Sequence, residues 1–368
     1  MKLLAISDFY IPRHYMTEGL TSLAEHGIEV DVFSWEHDTL EELQSANLVI
    51  EQGGPDAVLL PEVLYQTTSQ YDIIVTQFAP ISRRLLESAE RLKLLGILRA
   101  GMENVDVETA TKRNVSVCNL PGRNARAVAE CTVGLILAEI RNIARGHAAL
   151  KRDHWTRDFP NRDDIPELLG RTVGLVGFGA VARLVAKFLD AFGATIIVFD
   201  PFFQKGNETV EQVDLETLMR RSDIVSIHAR YVPETHHLIK REHLLLMKPT
   251  AVFVNTARSG LVDEKALIDI LAAKKIMGAA LDVFDEEPLP SNSPFLTLDN
   301  VTIVPHLAGS TADAFRNSPK LFASHLIRCL QGEQNLPIVN GIVPLFTHCP
   351  TIAIDSQHIG NHPVKTGT

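Results

Sequence analysis

Short apolar runs alternate with amphipathic stretches along most of this chain. Before residue 120 the runs fall at 2–6, 28–33, 72–76, 94–98 and 115–117, with helical spacing between them, which predicts an α/β unit on a mainly parallel sheet. Pro121-Gly122 interrupts the alternation. A long helix is expected from about 124 to 145, with Val128, Cys131, Leu135 and Ile136 on its inner face. After Gly170 the alternation resumes, with strands expected at 173–177, 195–200, 224–228, 251–255, 278–282 and 301–304. Six such strands make one doubly wound sheet. Asp214 and Asp263 stand where each would cap a connecting helix. The stretch from Gly309 to Leu330 is again helical in pattern, with Phe315, Leu321, Phe322, Leu326 and Leu330 apolar. It is expected to return to the first domain, so that residues 121–305 are inserted between 1–120 and 306–335, with 336–368 as a tail poor in pattern.

The first strand of the second half runs from Val173 into Gly177-Phe178-Gly179-Ala180-Val181-Ala182. Gly177 permits a tight turn, Gly179 lets backbone N–H groups approach a pyrophosphate, and small Ala182 suits the close packing of helix on strand. Val181, Leu184, Val185, Phe188, Leu189 and Phe192 follow at helical spacing, and Gly193 stops the helix. The next strand ends in Asp200, 23 residues beyond Gly177. That is where a dinucleotide fold places the carboxylate that binds the adenosine ribose. A carboxylate there repels a 2′-phosphate, and Pro201-Phe202-Phe203 offers no cation, so NAD(H) is favoured over NADP(H). Gly177, Phe178, Gly179, Ala180, Val181, Asp200 and His228 form the expected cofactor set.

Three later strand ends carry further chemistry: Asn255-Thr256-Ala257-Arg258, Asp282-Val283-Phe284 through Glu287-Pro288, and Pro305-His306. Ligands bind at this edge of an α/β sheet. Arginine grips a carboxylate through its planar fork of donors, and histidine transfers a proton near neutral pH. A carboxylate on the far imidazole nitrogen would fix the tautomer and favour the imidazolium. With a nicotinamide these groups suit the reduction of a 2-oxo acid, in which His306 protonates the oxygen while Arg258 holds carboxylate and carbonyl.

At this point the sequence resembles the D-isomer-specific 2-hydroxyacid dehydrogenases over about residues 70 to 332. The matching motifs are Arg99-Ala100-Gly101 with Asn104-Val105-Asp106, Asn119-Leu120-Pro121-Gly122-Arg123-Asn124, the glycine motif, Asn255-Thr256-Ala257-Arg258, Asp282-Val283-Phe284 with Glu287-Pro288, and Pro305-His306-Leu307-Ala308-Gly309-Ser310-Thr311. The resemblance implies a Rossmann NAD domain inserted into a flavodoxin-like substrate domain. It also implies Arg258, Glu287 and His306 as the catalytic trio, with Glu287 as the histidine's partner. Further implications are a substrate carboxylate on the Ala100-Gly101 backbone, and Asp282 with the Thr256-Ala257 backbone near the nicotinamide carboxamide. A homodimer through the cofactor domain follows as well, with 124–145 and the Trp155 region at its interface. Met102-Glu103 stand directly between Gly101 and Asn104, a shorter loop than members usually carry. Glu103 either repels a phosphorylated substrate or faces solvent, the second being favoured. Ser259 replaces a common glycine, a change expected to be tolerated. The chain stops soon after Leu330, which argues against the appended regulatory domain of many phosphoglycerate dehydrogenases. Glyoxylate or hydroxypyruvate is the expected substrate, and an NAD(H)-sensing corepressor on the same fold is the alternative.

Charge and composition narrow the partners. A net charge of −10 over 368 residues argues against nucleic acid or an anionic membrane as a main partner. No apolar run reaches the ~18–20 residues of a membrane span, and the first six residues meet Ser7-Asp8 too soon for a signal peptide. Cys118, Cys131, Cys329 and Cys349 lack metal spacing and read as reduced thiols of a cytoplasmic protein. His236, His237 and His243 read as solvated surface, and no metal is expected.

Overall fold

Five strands build the first sheet: β1 (Lys2–Ser7), β2 (Glu29–Ser34), β3 (Ile73–Thr76), β4 (Leu94–Ile97) and β5 (Ser116–Asn119). In this computed structural model, which describes residues 1–203, 210–333, 336–344 and 346, they run parallel in the order β2-β1-β3-β4-β5. β3 and β4 are buried throughout, which accounts for their unbroken apolar sequence. The chain divides into two compact units, the first holding Met1–Pro121 and the described residues from Arg316 onward, the second Gly122–Phe315.

The helix Ala312–Leu330 carries the chain back into the first unit, where Phe322, Ala323 and Leu326 are fully buried. The Phe322 ring lies directly on Gly96 of β4, so that any side chain at 96 would collide with it. The return falls at Phe315/Arg316 and not at residue 306, as the pattern had suggested. Residues 307 and 308 are tied by their N–H groups to Asp282, and Thr311 Oγ1 accepts from Ala314 N, so this segment belongs to the second unit.

The expected tail begins as structure. Ile338 bridges Cys118 of β5 in antiparallel sense and Val339 N donates to Val117 O at 2.9 Å. Asn340 accepts from Val117 N at 3.0 Å and donates to Val115 O at 2.8 Å. An unpaired sheet edge needs partners, and one side-chain amide can both accept and donate. The rest of the tail, from 347, and Cys349 with it, lie outside the described residues.

The second unit contains β6 (Thr172–Val176), β7 (Thr195–Phe199), β8 (Glu211–Gln212), β9 (Ile224–Ile227), β10 (Val252–Asn255), β11 (Gly278–Leu281) and β12 (Val301–Ile303). They form a parallel sheet in the order β12-β11-β10-β9-β6-β7-β8. Six strands were legible; β8 is a two-residue, exposed, polar edge with no apolar signal. The helix Ala180–Asp190 buries Ala182, Val185, Ala186 and Leu189. Phe192, expected on that face, lies beyond the helix and is exposed.

One long helix was expected over 124–145, and the structure has two, Ala125–Ile140 and Ile143–Leu150. The break is at Asn142, whose φ of 55° is left-handed. Its side chain donates to Asn161 Oδ1 at 2.6 Å, and Arg145 donates to its Oδ1 and to Glu139. Glu139 is buried and accepts from Thr302 Oγ1 at 2.6 Å, and burial pushes its carboxyl above the usual range against the pull of Arg145. The buried face of the first helix is Ala125, Ala129, Thr132, Val133, Leu135, Ile136, Glu139 and Ile140, while Val128 and Cys131 are only partly covered. Small residues and a buried acid carry that face, and a purely apolar reading passes over both. Among the described residues no helix is long and apolar enough to cross a membrane.

Candidate active site

Parallel strands bring all their carboxyl ends to one edge, and the second unit uses that edge fully. β6 delivers Gly177, β7 Asp200, β9 His228, β10 Thr256 to Arg258, β11 Asp282, and β12 the turn holding His306. The switch in strand order lies at β6, flanked by β7 and β9, where ligands of such sheets bind.

At β6, Gly177 has φ of 87°, and a side chain there would meet the backbone of Ala229 and His228 within 2.8 Å. Only glycine fits both demands. A Cβ on Gly179 would meet nothing within 4 Å, so the approach to the helix Ala180–Asp190 is open. The N–H groups of Gly179, Ala180 and Val181 donate to no acceptor among the described residues. An open helix start with aligned donors fits a pyrophosphate. Phe178 N is spent on Asp200 Oδ2 at 2.8 Å, while Asp200 Oδ1 accepts from Phe202 N at 2.8 Å. A carboxylate has roughly four acceptor positions, so Asp200 retains capacity for a ribose diol.

Pro201-Phe202-Phe203 carries no cation, but the fold brings one from the helix. Arg183 stacks over the rings of Phe178 at 4.7 Å and Phe203 at 5.9 Å. Local sequence around Asp200 gave no sign of it; its place one turn into the glycine-loop helix was the available signal.

His228 is partly buried and bonded through Nε2 to Ser226 Oγ at 2.9 Å; desolvation pulls its imidazole down to about 4, so it is neutral at physiological pH. Thr256 is buried with its hydroxyl 2.8 Å from that of Thr132, a tie to the first long helix that no local motif announces. Ala257 N donates to Asn255 Oδ1 at 3.0 Å, and Arg258, exposed, donates from Nη1 to Ala257 O at 2.7 Å.

The tightest polar contact at this edge joins His306 Nδ1 and Glu287 Oε2 at 2.6 Å. Glu287 is held by its other oxygen, which accepts from Phe284 N at 2.9 Å. With Nδ1–H donated to the carboxylate, Nε2 is the nitrogen left to exchange a proton. His306 has φ of 48°, a left-handed conformation that needs support. Asp282 supplies it, accepting from Leu307 N at 2.7 Å and Ala308 N at 3.1 Å. Burial raises the Asp282 carboxyl and these two backbone bonds oppose the shift.

In the first unit, Ala100 and Gly101 follow β4. Asn119 Nδ2 donates to Ala100 O at 2.7 Å and Leu120 N to Arg99 O at 3.0 Å, which fixes the loop. The N–H groups of Ala100 and Gly101 donate to no acceptor among the described residues. Glu103 is exposed, as expected, and in addition pairs with Arg99.

Residues 133–308 match the family described as D-isomer specific 2-hydroxyacid dehydrogenase, NAD binding domain. Over 265 residues the chain is 42% identical to glyoxylate reductase of Thermofilum pendens, covering 71% of this chain and 78% of that one. The chain belongs to the D-isomer-specific 2-hydroxyacid dehydrogenase family. Another member, D-3-phosphoglycerate dehydrogenase of Methanocaldococcus jannaschii, is 39% identical over 307 residues, which are 81% of this chain and only 57% of that one. The crystal structure of the TT0316 protein of Thermus thermophilus shares 29% identity at a TM-score of 0.67, covering 92% of this dehydrogenase-family chain and 100% of that one. The matched NAD-binding domain lies within the second unit, around the glycine loop, the Asp200 carboxylate and the His306–Glu287 pair.

Proposed function

We propose that this chain interconverts a small, unphosphorylated 2-oxo acid and its D-2-hydroxy acid with NAD(H), with glyoxylate and hydroxypyruvate as first candidates. The observation that carries the reading is the 2.6 Å contact between His306 Nδ1 and Glu287, a carboxylate already anchored on Phe284 N. NADH, when bound, supplies the hydride to the carbonyl carbon. His306 hands the proton on Nε2 to the carbonyl oxygen, and Glu287 stabilises the imidazolium before that step. Arg258 grips the substrate carboxylate and polarises the carbonyl, and the free amides of Ala100 and Gly101 in the first unit are the further carboxylate donors that the family resemblance implies. Asp282 keeps His306 in place through the two amides that follow it. The open start of the helix Ala180–Asp190 takes the pyrophosphate, Asp200 the adenosine ribose, and His228, Thr256 and Ala257 the neighbourhood of the nicotinamide.

The same reading makes the first unit the substrate domain and the enzyme a cytoplasmic homodimer. Three free thiols among the described residues suit a reducing compartment. Exposed Ile143, Leu150 and Trp155, next to the long helix of the second unit, supply an apolar face for the partner copy.

NADH oxidation measured against glyoxylate, hydroxypyruvate, pyruvate and bulkier 2-oxo acids tests the reading. The wild type should turn over at least one acid, and His306→Gln should lower kcat by about 10²–10⁴-fold while NADH affinity holds. Unchanged kcat in the variant removes His306 from the mechanism. A silent panel, with NADH still bound and driving dimer formation, would favour a nucleotide sensor.

A further inference from the structure

Arg99 stands at the carboxyl end of β4, directly before the Ala100-Gly101 amides. Its side chain is only 14% exposed, while the two carboxylates that face it are each half exposed. Within the first unit it is engaged from three sides. Glu103 is bonded to its guanidinium, Glu51 Oε1 lies 3.6 Å from Nη2, and the Phe78 ring lies 5.0 Å beneath Cζ. Phe78 is backed in turn by Tyr10 at 5.6 Å, whose hydroxyl accepts from Gln44 of the helix Leu40–Gly53. The ion pair lies across Gly101 itself, since a side chain at 101 would fall among the Arg99 and Glu103 terminal atoms.

We propose that Glu103, seconded by Glu51, sets substrate specificity by cancelling the charge of Arg99, so that the loop rejects 2-oxo acids carrying a phosphate. The proposal rests on the reading that the Ala100-Gly101 amides hold the substrate carboxylate. One guanidinium faces two carboxylates, which leaves the cluster with a net charge of −1. An unpaired arginine beside those amides would be a bidentate receptor for phosphate. Paired in this way, its Nη2 is taken up by carboxylates, which set two like charges beside a dianionic phosphate, a juxtaposition that works against binding. An uncharged substituent such as a hydroxymethyl group meets neither penalty. The short loop is what creates the device, because Met102 and Glu103 alone connect Gly101 to Asn104, and Asn104 is pinned by its side chain to Gln77 O and Ala79 O at 3.3 and 3.1 Å. Glu103 is therefore held next to Arg99.

The test compares kcat/KM for hydroxypyruvate and phosphohydroxypyruvate with NADH in the wild type, Glu103→Gln, Glu51→Gln and the double variant Glu103→Gln with Arg99→Met. The wild type should prefer the unphosphorylated acid by at least about tenfold. Glu103→Gln should raise kcat/KM for the phosphorylated acid about tenfold or more and leave hydroxypyruvate within about threefold. Glu51→Gln should give a smaller gain, and the double variant should lose the gain. An unchanged ratio in Glu103→Gln, or a gain that survives removal of Arg99, overturns the proposal. If Glu103→Gln does not fold, Glu51→Gln alone decides, through the same ratio. A wild type that uses both acids equally refutes this specificity device and leaves the dehydrogenase reading intact. A wild type inactive on both leaves the dehydrogenase reading to the wider panel of acids, and calorimetric titration of the NAD-loaded proteins with D-glycerate and D-3-phosphoglycerate then judges the device by binding. Selective D-glycerate binding by the wild type, relaxed in Glu103→Gln, supports it, and any other pattern overturns it.

Discussion

The carboxyl-terminal edges of the two sheets are built differently. In the second unit nearly every group of interest is fixed by a hydrogen bond between a backbone N–H and a side-chain oxygen: Glu287 by Phe284 N, the His306 turn by Asp282, Ala257 N by Asn255, Asp200 by Phe178 N and Phe202 N. In the first unit the corresponding edge is held by contacts between side chains, as where Glu51 and Phe78 meet Arg99, and the Gln77 side-chain amide is fully buried with no hydrogen-bonding partner among the described residues. The contrast separates two tasks. On the proposed reading, hydride and proton transfer are the same for every 2-oxo acid and reward an edge fixed to the backbone. On the same reading, choice among 2-oxo acids depends on the substituent, and it is assigned to the side-chain cluster around Arg99, where a single exchange can retune the loop.

The comparison breaks if residues of the second unit act selectively. Arg258→Ala should lower kcat/KM by about 10²-fold or more for every acid in the panel, with saturation lost, because each substrate carries the same carboxylate. Steady-state kinetics across the panel checks this, and a loss confined to one acid would place substrate choice in the second unit after all. Asp200→Ala should narrow the preference for NADH over NADPH by about tenfold, by the same factor whichever acid is present, since the repulsion removed concerns only the cofactor. The initial-rate ratio for the two cofactors measures it, and a ratio that varies with the acid would count against separate tasks.

The smallest effect is on stability. His228 has its folded-state value near 4, below the ordinary 6.5, so the unfolded chain binds the proton more readily. Its contribution is fully present above about pH 6.5 and is lost as pH falls toward 4. Melting temperature followed over that window should fall less steeply in His228→Asn, and identical slopes would show that the imidazole does not titrate differently on folding.

The same contrast explains what could be read from the sequence. The glycine loop, the second strand with Asp200, and the motifs around Arg258, Glu287 and His306 are local, so residue type and spacing reveal them. Strand positions were legible because strands buried on both faces read as continuous apolar runs. β8 was not, being two polar edge residues. The break at Asn142 was missed because a left-handed asparagine held by Asn161 and Arg145 leaves no mark on helical periodicity. Thr132 against Thr256 is a tertiary contact that chain order does not disclose, whereas the Glu103–Arg99 pair and Arg183 over Phe178 are four and five residues apart and lie within local sequence. The return to the first unit was misplaced by ten residues because the segment after His306 is apolar and small enough for either unit, and only the Asp282 carboxylate decides it.

The antiparallel cover that residues 338–340 lay over β5 also bears on how this protein can be handled. A bare outer strand with Val117 and Cys118 on it is a template for adding a strand from another molecule, the first step toward insoluble assemblies. Asn340 satisfies that template from within the chain. A fusion or truncation made after residue 341 therefore keeps a soluble product within reach, whereas one made ahead of residue 336 turns the same strand into an adhesive.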